Sequence, residues 1–295
     1  MHLGPTFILD SFAEAFQMRY VRLTITALDD YWLDAALRES TGYGSSVIAC
    51  DAEVGVERML PATETPDGRP GAAVLLFGFS TDALASAVPN RVGQCVMTCP
   101  TTAVFNGLPA SSETVPLGKH LRYFGDGFQK SKKYADSRYW RIPVMDGEFL
   151  VEETAGVAKG VAGGNIILQA RAQQDALEAA RRATEAVARL PDVMTPFPAG
   201  VVRSGSKVGS KYQGLVASTN DTLCPTLRGH VTSELVEGAN CVYEIVIDGT
   251  DEAAVAKAMH AAARAAAGEG ILAIGGGNYG GKLGKFHFHL RELLA

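Results

Sequence analysis

The 295 residues predict an α+β sandwich built from two duplicated ferredoxin-like lobes. Three observations lead there. Strand-helix-strand patterns recur four times along the chain. Two of them end on related glycine-lysine segments, Gly205-Ser206-Lys207-Val208-Gly209 and Gly280-Gly281-Lys282-Leu283-Gly284, 75 positions apart. The segment CVYEIVI at 241–247 is mostly apolar on both alternating faces, which calls for cover on both sides of its sheet.

In the first half, residues 21–26, 46–50 and 72–79 read as strands, 29–38 as a helix and 81–96 as an imperfect helix. Residues 107–144, which include FGDGF, read as an irregular insertion or lobe connection. In the second half, the Ile- and Leu-rich residues 164–170 read as a strand, and 173–190 carry Ala, Glu and Arg at helical spacing. A short strand near Val193, a strand at 241–247, an Ala-rich helix at 251–267 capped by Asp251, and a strand at 270–274 complete the pattern. Lobes of 1–147 and 148–295 follow, with the boundary near Asp146.

Composition narrows the function. An apolar content of 47% supports a packed core, and a formal charge of −5 provides no basic field for nucleic acid. No apolar run approaches the roughly 20 residues of a membrane span, and no signal-peptide pattern opens the chain, so a cytoplasmic location is expected. Five cysteines, Cys50, Cys95, Cys99, Cys224 and Cys241, are too sparse and odd in number for a disulfide framework. The Cys95-x3-Cys99 pair lacks further cluster ligands, and His287 and His289 on alternate strand positions lack a carboxylate or thiol partner, so no metal is expected. Gly276, Gly281 and Lys282 fit the spacing of a phosphate-binding loop, but Leu283 stands where the magnesium-binding hydroxyl belongs and a strand follows instead of a helix. That disfavours a nucleotide-dependent ligase.

Three glycine-rich loops remain: Gly163-Gly164-Asn165, residues 205–210, and Asn278-Tyr279-Gly280-Gly281-Lys282. Their backbone amides, with Lys207, Lys211, Lys282 and Lys285, suit anionic substrate groups. No serine elbow or cysteine in a catalytic setting points to covalent catalysis. Glu244, between Val242 and Val246 on one face of a buried strand, is the candidate acid-base group, because burial raises a carboxyl pKa towards neutrality.

Nine motifs, TPDGRPG (65–71), GQC (93–95), FGDG (124–127), GVAGGN (160–165), PFP (196–198), SKVGS (206–210), ASTN (217–220), VYEIVI (242–247) and NYGGKLG (278–284), closely resemble formylmethanofuran:tetrahydromethanopterin formyltransferase over essentially the whole chain. The resemblance implies a two-lobed oligomer that moves a formyl group directly between a methanofuran-type carrier and tetrahydromethanopterin in a ternary complex, with no tightly bound cofactor. The family's proposed catalytic carboxylate matches Glu244, and Gly163, Gly164, Asn165, Ser206 and Asn278 are our own candidates for the oxyanion hole or its neighbourhood. Ser210, Tyr279 and the four lysines Lys207, Lys211, Lys282 and Lys285 are expected in substrate binding. The mild charge looks like the bacterial form, a subunit of a formyltransferase/hydrolase complex, rather than the strongly acidic members from hyperthermophilic methanogens. A non-catalytic binding or scaffold subunit of such a complex is the alternative.

Overall fold

The computed structural model describes all 295 residues. From the N-terminus come β1 (His2–Leu3), β2 (Thr6–Ile8), β3 (Phe12–Thr26), α1 (Asp30–Thr41), β4 (Glu53–Leu60), β5 (Gly71–Gly78), α2 (Thr81–Arg91) and β6 (Ala103–Asn106). Then follow β7 (Glu113–Pro116), α3 (Gly118–Leu121), β8 (Lys130–Tyr134), β9 (Ser137–Val144), β10 (Gly147–Glu152) and β11 (Thr154–Ala170). The remainder is α4 (Gln173–Val187), β12 (Val193–Met194), β13 (Lys207–Val208), β14 (Ala217–Ser218), β15 (Cys241–Gly249), α5 (Glu252–Ala266), β16 (Ile271–Gly275), β17 (Phe286–His289) and α6 (Leu290–Leu293).

The chain gathers into two compact units, Met18–Gly160 and Met1–Gln17 with Val161–Ala295. In the Met18–Gly160 unit, β3 pairs with β5 and β6, and β5 with β4, all antiparallel, giving the order β6-β3-β5-β4. In the other unit, β11 pairs with β15 and β16, and β15 with β12, giving β16-β11-β15-β12. Both are the ferredoxin-like arrangement expected from the sequence. Each sheet is also extended by a parallel strand, β10 beside β6 in one unit and β2 beside β16 in the other.

Those added strands set the limits of the two units. The strand that precedes β3 in sequence, β2, lies on the sheet formed by the last third of the chain, and β10, which precedes β11, lies on the sheet of the first half. Unit boundaries consequently fall inside the long strands β3 and β11.

Local chemistry sets the elements. Asp251 caps α5 by accepting from Ala254 N at 2.8 Å, and Asp29 caps α1 by accepting from Tyr31 N and Trp32 N. Along α4, Ala176, Ala179, Ala180 and Ala183 form a small-residue stripe that lies buried with Ala258, Ala262 and Ala263 of α5. Two expectations fail. Residues 46–50 are a turn, closed by Ala49 N and Cys50 N donating to Ser46 O, and the strand comes later as β4. Residues 107–144 are not irregular: β8 and β9 form an antiparallel hairpin there, which β10 continues as a meander, and β7 pairs with the start of β11. The helix expected over 81–96 is α2, containing Pro89, followed by a wide π turn over Val92–Val96.

Candidate active site

On β15 the apolar alternation resolves into two faces. Tyr243, Ile245 and Ile247 belong to the core beneath α4 and α5, which leaves Val242, Glu244 and Val246 on the opposite face. Across the β11 ladder Glu244 stands opposite Ile167, Val246 opposite Asn165, and Val242 opposite Gln169. The backbone of Glu244 is tied on its other side as well: Val202 N donates to Glu244 O at 2.8 Å and Glu244 N donates to Val202 O at 3.1 Å. A carboxylate on a doubly bonded strand cannot drift.

Its side chain is half-buried. Desolvation pushes the Glu244 carboxyl up to about 7, with no neighbouring charge or donor opposing the shift. Glu244 thus combines partial access with a proton affinity suited to exchange near neutral pH.

Asn165 stands diagonal to Glu244 on the same sheet face. Its Oδ1 accepts from Gly277 N at 2.6 Å and its Nδ2 donates to Gly277 O at 3.1 Å. The amide therefore clamps the backbone at the start of the loop that follows β16. Gly163, with φ of +92°, sits at a break in the β11–β15 register and donates from its N to Asp248 Oδ1 at 2.9 Å. Gly164 faces the helices: a Cβ there would stand 2.3 Å from Val255 Cγ1 of α5. Gly164 is a packing residue.

Residues 276–285 form the loop that Asn165 clamps. Asn278 donates to Phe12 O at 3.3 Å and accepts from Gly280 N at 3.0 Å, while the Tyr279 ring lies 6.0 Å from that of Phe16. The loop amides turn inward. Tyr279 N, Gly281 N, Leu283 N and Gly284 N all donate to the carboxylate of Glu14, which is 1% exposed. Burial alone would raise the Glu14 pKa, but the four backbone donors outweigh it and hold it below the ordinary glutamate value. The amides expected to await a substrate anion are thus engaged by the protein's own carboxylate. Lys282 stays exposed with no ion pair, and Lys285 donates to Gln17 Oε1 at 3.3 Å.

The other loop begins beyond Val202. Lys207 opens the small hairpin of β13 and β14 and is ion-paired to Asp221 at 2.5 Å, which draws the Asp221 carboxyl below its usual range. Ser210 Oγ accepts from Tyr212 N at 3.1 Å, and Lys211 is exposed. Ser206 has no internal hydrogen bond and lies four positions beyond Val202, the bridge partner of Glu244. The structure therefore joins Glu244, Asn165 and the 276–285 loop through one sheet face, connects the 203–211 loop to them through Val202, and assigns Gly164 to packing.

Sequence reasoning missed Glu14. The signal was available, since Phe12-Ala13-Glu14-Ala15-Phe16 is an acid within an apolar alternation, the same cue that singled out Glu244. No group of three or more His, Cys, Asp or Glu side chains is arranged to hold a metal ion, and no helix is long and apolar enough to cross a membrane.

The duplicated ferredoxin-like fold thus carries, on one sheet face, a carboxyl whose pKa desolvation raises and the Asn165 amide that clamps a glycine loop. Residues 1–144 match the family formylmethanofuran-tetrahydromethanopterin formyltransferase, and residues 147–293 match that family's proximal lobe. The chain belongs to this family. It is 54% identical to formylmethanofuran–tetrahydromethanopterin formyltransferase of Methylococcus capsulatus, over 100% of both chains. The solved formyltransferase from Methanosarcina barkeri superposes with a TM-score of 0.94 at 44% identity, covering 99% of this chain and 100% of that one. A chain of the formyltransferase/hydrolase complex from Methylorubrum extorquens, solved with methylofuran, gives 0.94 at 46% identity and covers 98% and 96%.

Proposed function

We propose that this protein is an N-formyltransferase that moves a formyl group between a methanofuran-type carrier and tetrahydromethanopterin, with Glu244 as the proton-handling group. Membership of the family supports the reaction, and the desolvated carboxyl of Glu244 is the observation that carries the residue assignment.

In the direction that forms the formylated pterin, a pterin nitrogen attacks the formyl carbon while ionised Glu244 takes the proton from that nitrogen. The tetrahedral intermediate then expels the carrier amine, and Glu244 returns the proton to the departing nitrogen, so the carboxyl ends as it began. The reverse reaction uses the same steps backwards. A developing oxyanion needs donors. Gly163, Asn165 and Asn278 are engaged within the protein, so Ser206, with its hydroxyl free, is the preferred candidate. Lys211 and Lys282, unpaired and exposed, bind anionic groups of the carriers. Tyr279, Lys207, Ser210 and Lys285 shape the two loops through their internal contacts.

The bacterial relative named as a subunit of a formyltransferase/hydrolase complex supports a similar assembly for this chain, with partner subunits or further copies of itself. The test mixes the purified protein with formyl-tetrahydromethanopterin and methanofuran, without nucleotide, and follows pterin absorbance. Transfer is expected, and Glu244→Gln should lower it by about 100-fold or more. Wild-type turnover in that variant would remove the proton role; no transfer by the wild-type protein would favour a scaffold subunit.

A further inference from the structure

Glu14 has no part in the chemistry above, yet residue 14 ties the 276–285 loop at both ends. Its backbone N donates to Gly277 O at 3.1 Å, and its carboxylate receives the amides of Tyr279, Gly281, Leu283 and Gly284. Gly280 and Gly281, at φ of +78° and +70°, turn the chain so that these N–H groups converge. At Gly284 a Cβ would stand 2.6 Å from Ala15 O, so the loop lies directly against the strand that carries Glu14. From Ala15 onward the β17–β3 ladder closes the loop, with His287 opposite Glu14.

An inward ring of amides with no internal anion would itself be an anion site. Here the ring is filled, so an incoming anion must be met by a side chain; of the two loop lysines, Lys285 is drawn to Gln17 Oε1 at 3.3 Å, whereas Lys282 has no partner. Its two neighbours in sequence, Gly281 and Leu283, both donate to Glu14, so the backbone of Lys282 is anchored on each side while its ammonium stays exposed. Glu14 is compensated by backbone dipoles rather than by a cation, which leaves Lys282 free of an ion pair.

We propose that Glu14 is a positioning residue, the internal anion that shapes the 276–285 loop and thereby fixes where Lys282 meets an anionic group of a substrate. This rests on the reading that the loop contacts a carrier. Glu14 acts through Lys282, so the two should not act independently.

A double-mutant cycle tests this, with KM for each carrier and kcat measured for Glu14→Gln, Lys282→Ala and the double variant. Each single change is expected to raise KM for the same carrier by about tenfold, the worth of one lost charge-assisted contact, with kcat changed by less than about twofold. The double variant should be no worse than either single one. Multiplying effects, a KM increase for different carriers, an unchanged KM in Glu14→Gln, or a fall in kcat alone would overturn the proposal. If Glu14→Gln does not melt cooperatively, Glu14→Asp enters the same cycle, since it keeps the charge but shortens the reach. The same outcomes then apply. Glu244→Gln measured in parallel separates the two claims: full activity there overturns the site reading, whereas multiplying effects in the cycle with Glu244→Gln inactive overturn only the role of Glu14.

Discussion

Glu244 and Glu14 are the same residue type on strands of one unit, and their surroundings drive them in opposite directions. Around Glu244 desolvation acts alone and lifts the carboxyl to about 7; around Glu14 four N–H groups overcome desolvation and lower it. The pH dependence of activity should therefore show a limb with an apparent pKa near 7 in kcat/KM, and Glu244→Gln should abolish that limb. Stability follows by linkage. A raised carboxyl pKa leaves folding unpenalised below the ordinary value of 4.5 and removes stability as pH climbs through about 7. Glu244→Gln should accordingly be more stable than wild type at pH 8 to 9, by up to about 3 kcal/mol and by less where water reaches the half-buried group, with no gain at pH 4. Chemical denaturation at the two pH values reads this directly. For Glu14 the sign reverses: its contribution is present above the ordinary glutamate pKa and is lost as acid protonates it. Hydrogen exchange of the amides at 279–284 should speed up on acidification beyond the intrinsic pH trend, while the exposed 211–216 segment follows that trend alone.

Strands and helices show where sequence pattern suffices. In α5 and α4 the alanine spacing, the cap and the flanking strands point one way, and the observed helices end within a few residues of their expected limits. The alternation in β15 was enough to set Glu244 with Val242 and Val246 on the face opposite Tyr243, Ile245 and Ile247. Long strands were harder to read: β3 and β11 run for 15 and 17 residues, but Gly and charged positions interrupt their patterns, so only their apolar ends stood out. Residues 46–50 misled because a short apolar run does not distinguish a strand from a turn, and Ser46 decides it by hydrogen bonding. Within the site, the carboxyl of Glu244 was readable from its own strand, whereas the engagement of the loop amides by Glu14 joins residues more than 260 positions apart and has no local signature. The strand-helix contact at Gly164 gives a further expectation. Gly164→Ala would bring a methyl to 2.3 Å from Val255, so it should destabilise the protein by about 1–3 kcal/mol, and Gly164→Ala combined with Val255→Ala should recover part of that loss in thermal unfolding.

The reciprocal placement of β2 and β10 decides what can be cut from the molecule. Residues 18–160 contain the complete β6-β3-β5-β4 sheet, its parallel strand β10 and the meander beside it, all in one uninterrupted stretch. Expressed alone, that segment should unfold cooperatively in circular dichroism. Residues 148–295 should not, because they lack β2 and Glu14, both of which belong to the same unit as Glu244. Timing during translation adds a consequence. The first 17 residues leave the ribosome long before their partners, since β2 waits for β16, and Glu14 waits for the amides at 279–284. A nascent chain therefore carries Glu14 in water until residues 279–284 have been synthesised. A product truncated before residue 279 keeps its opening segment loose, and only a chain that extends through Gly284 can close this loop.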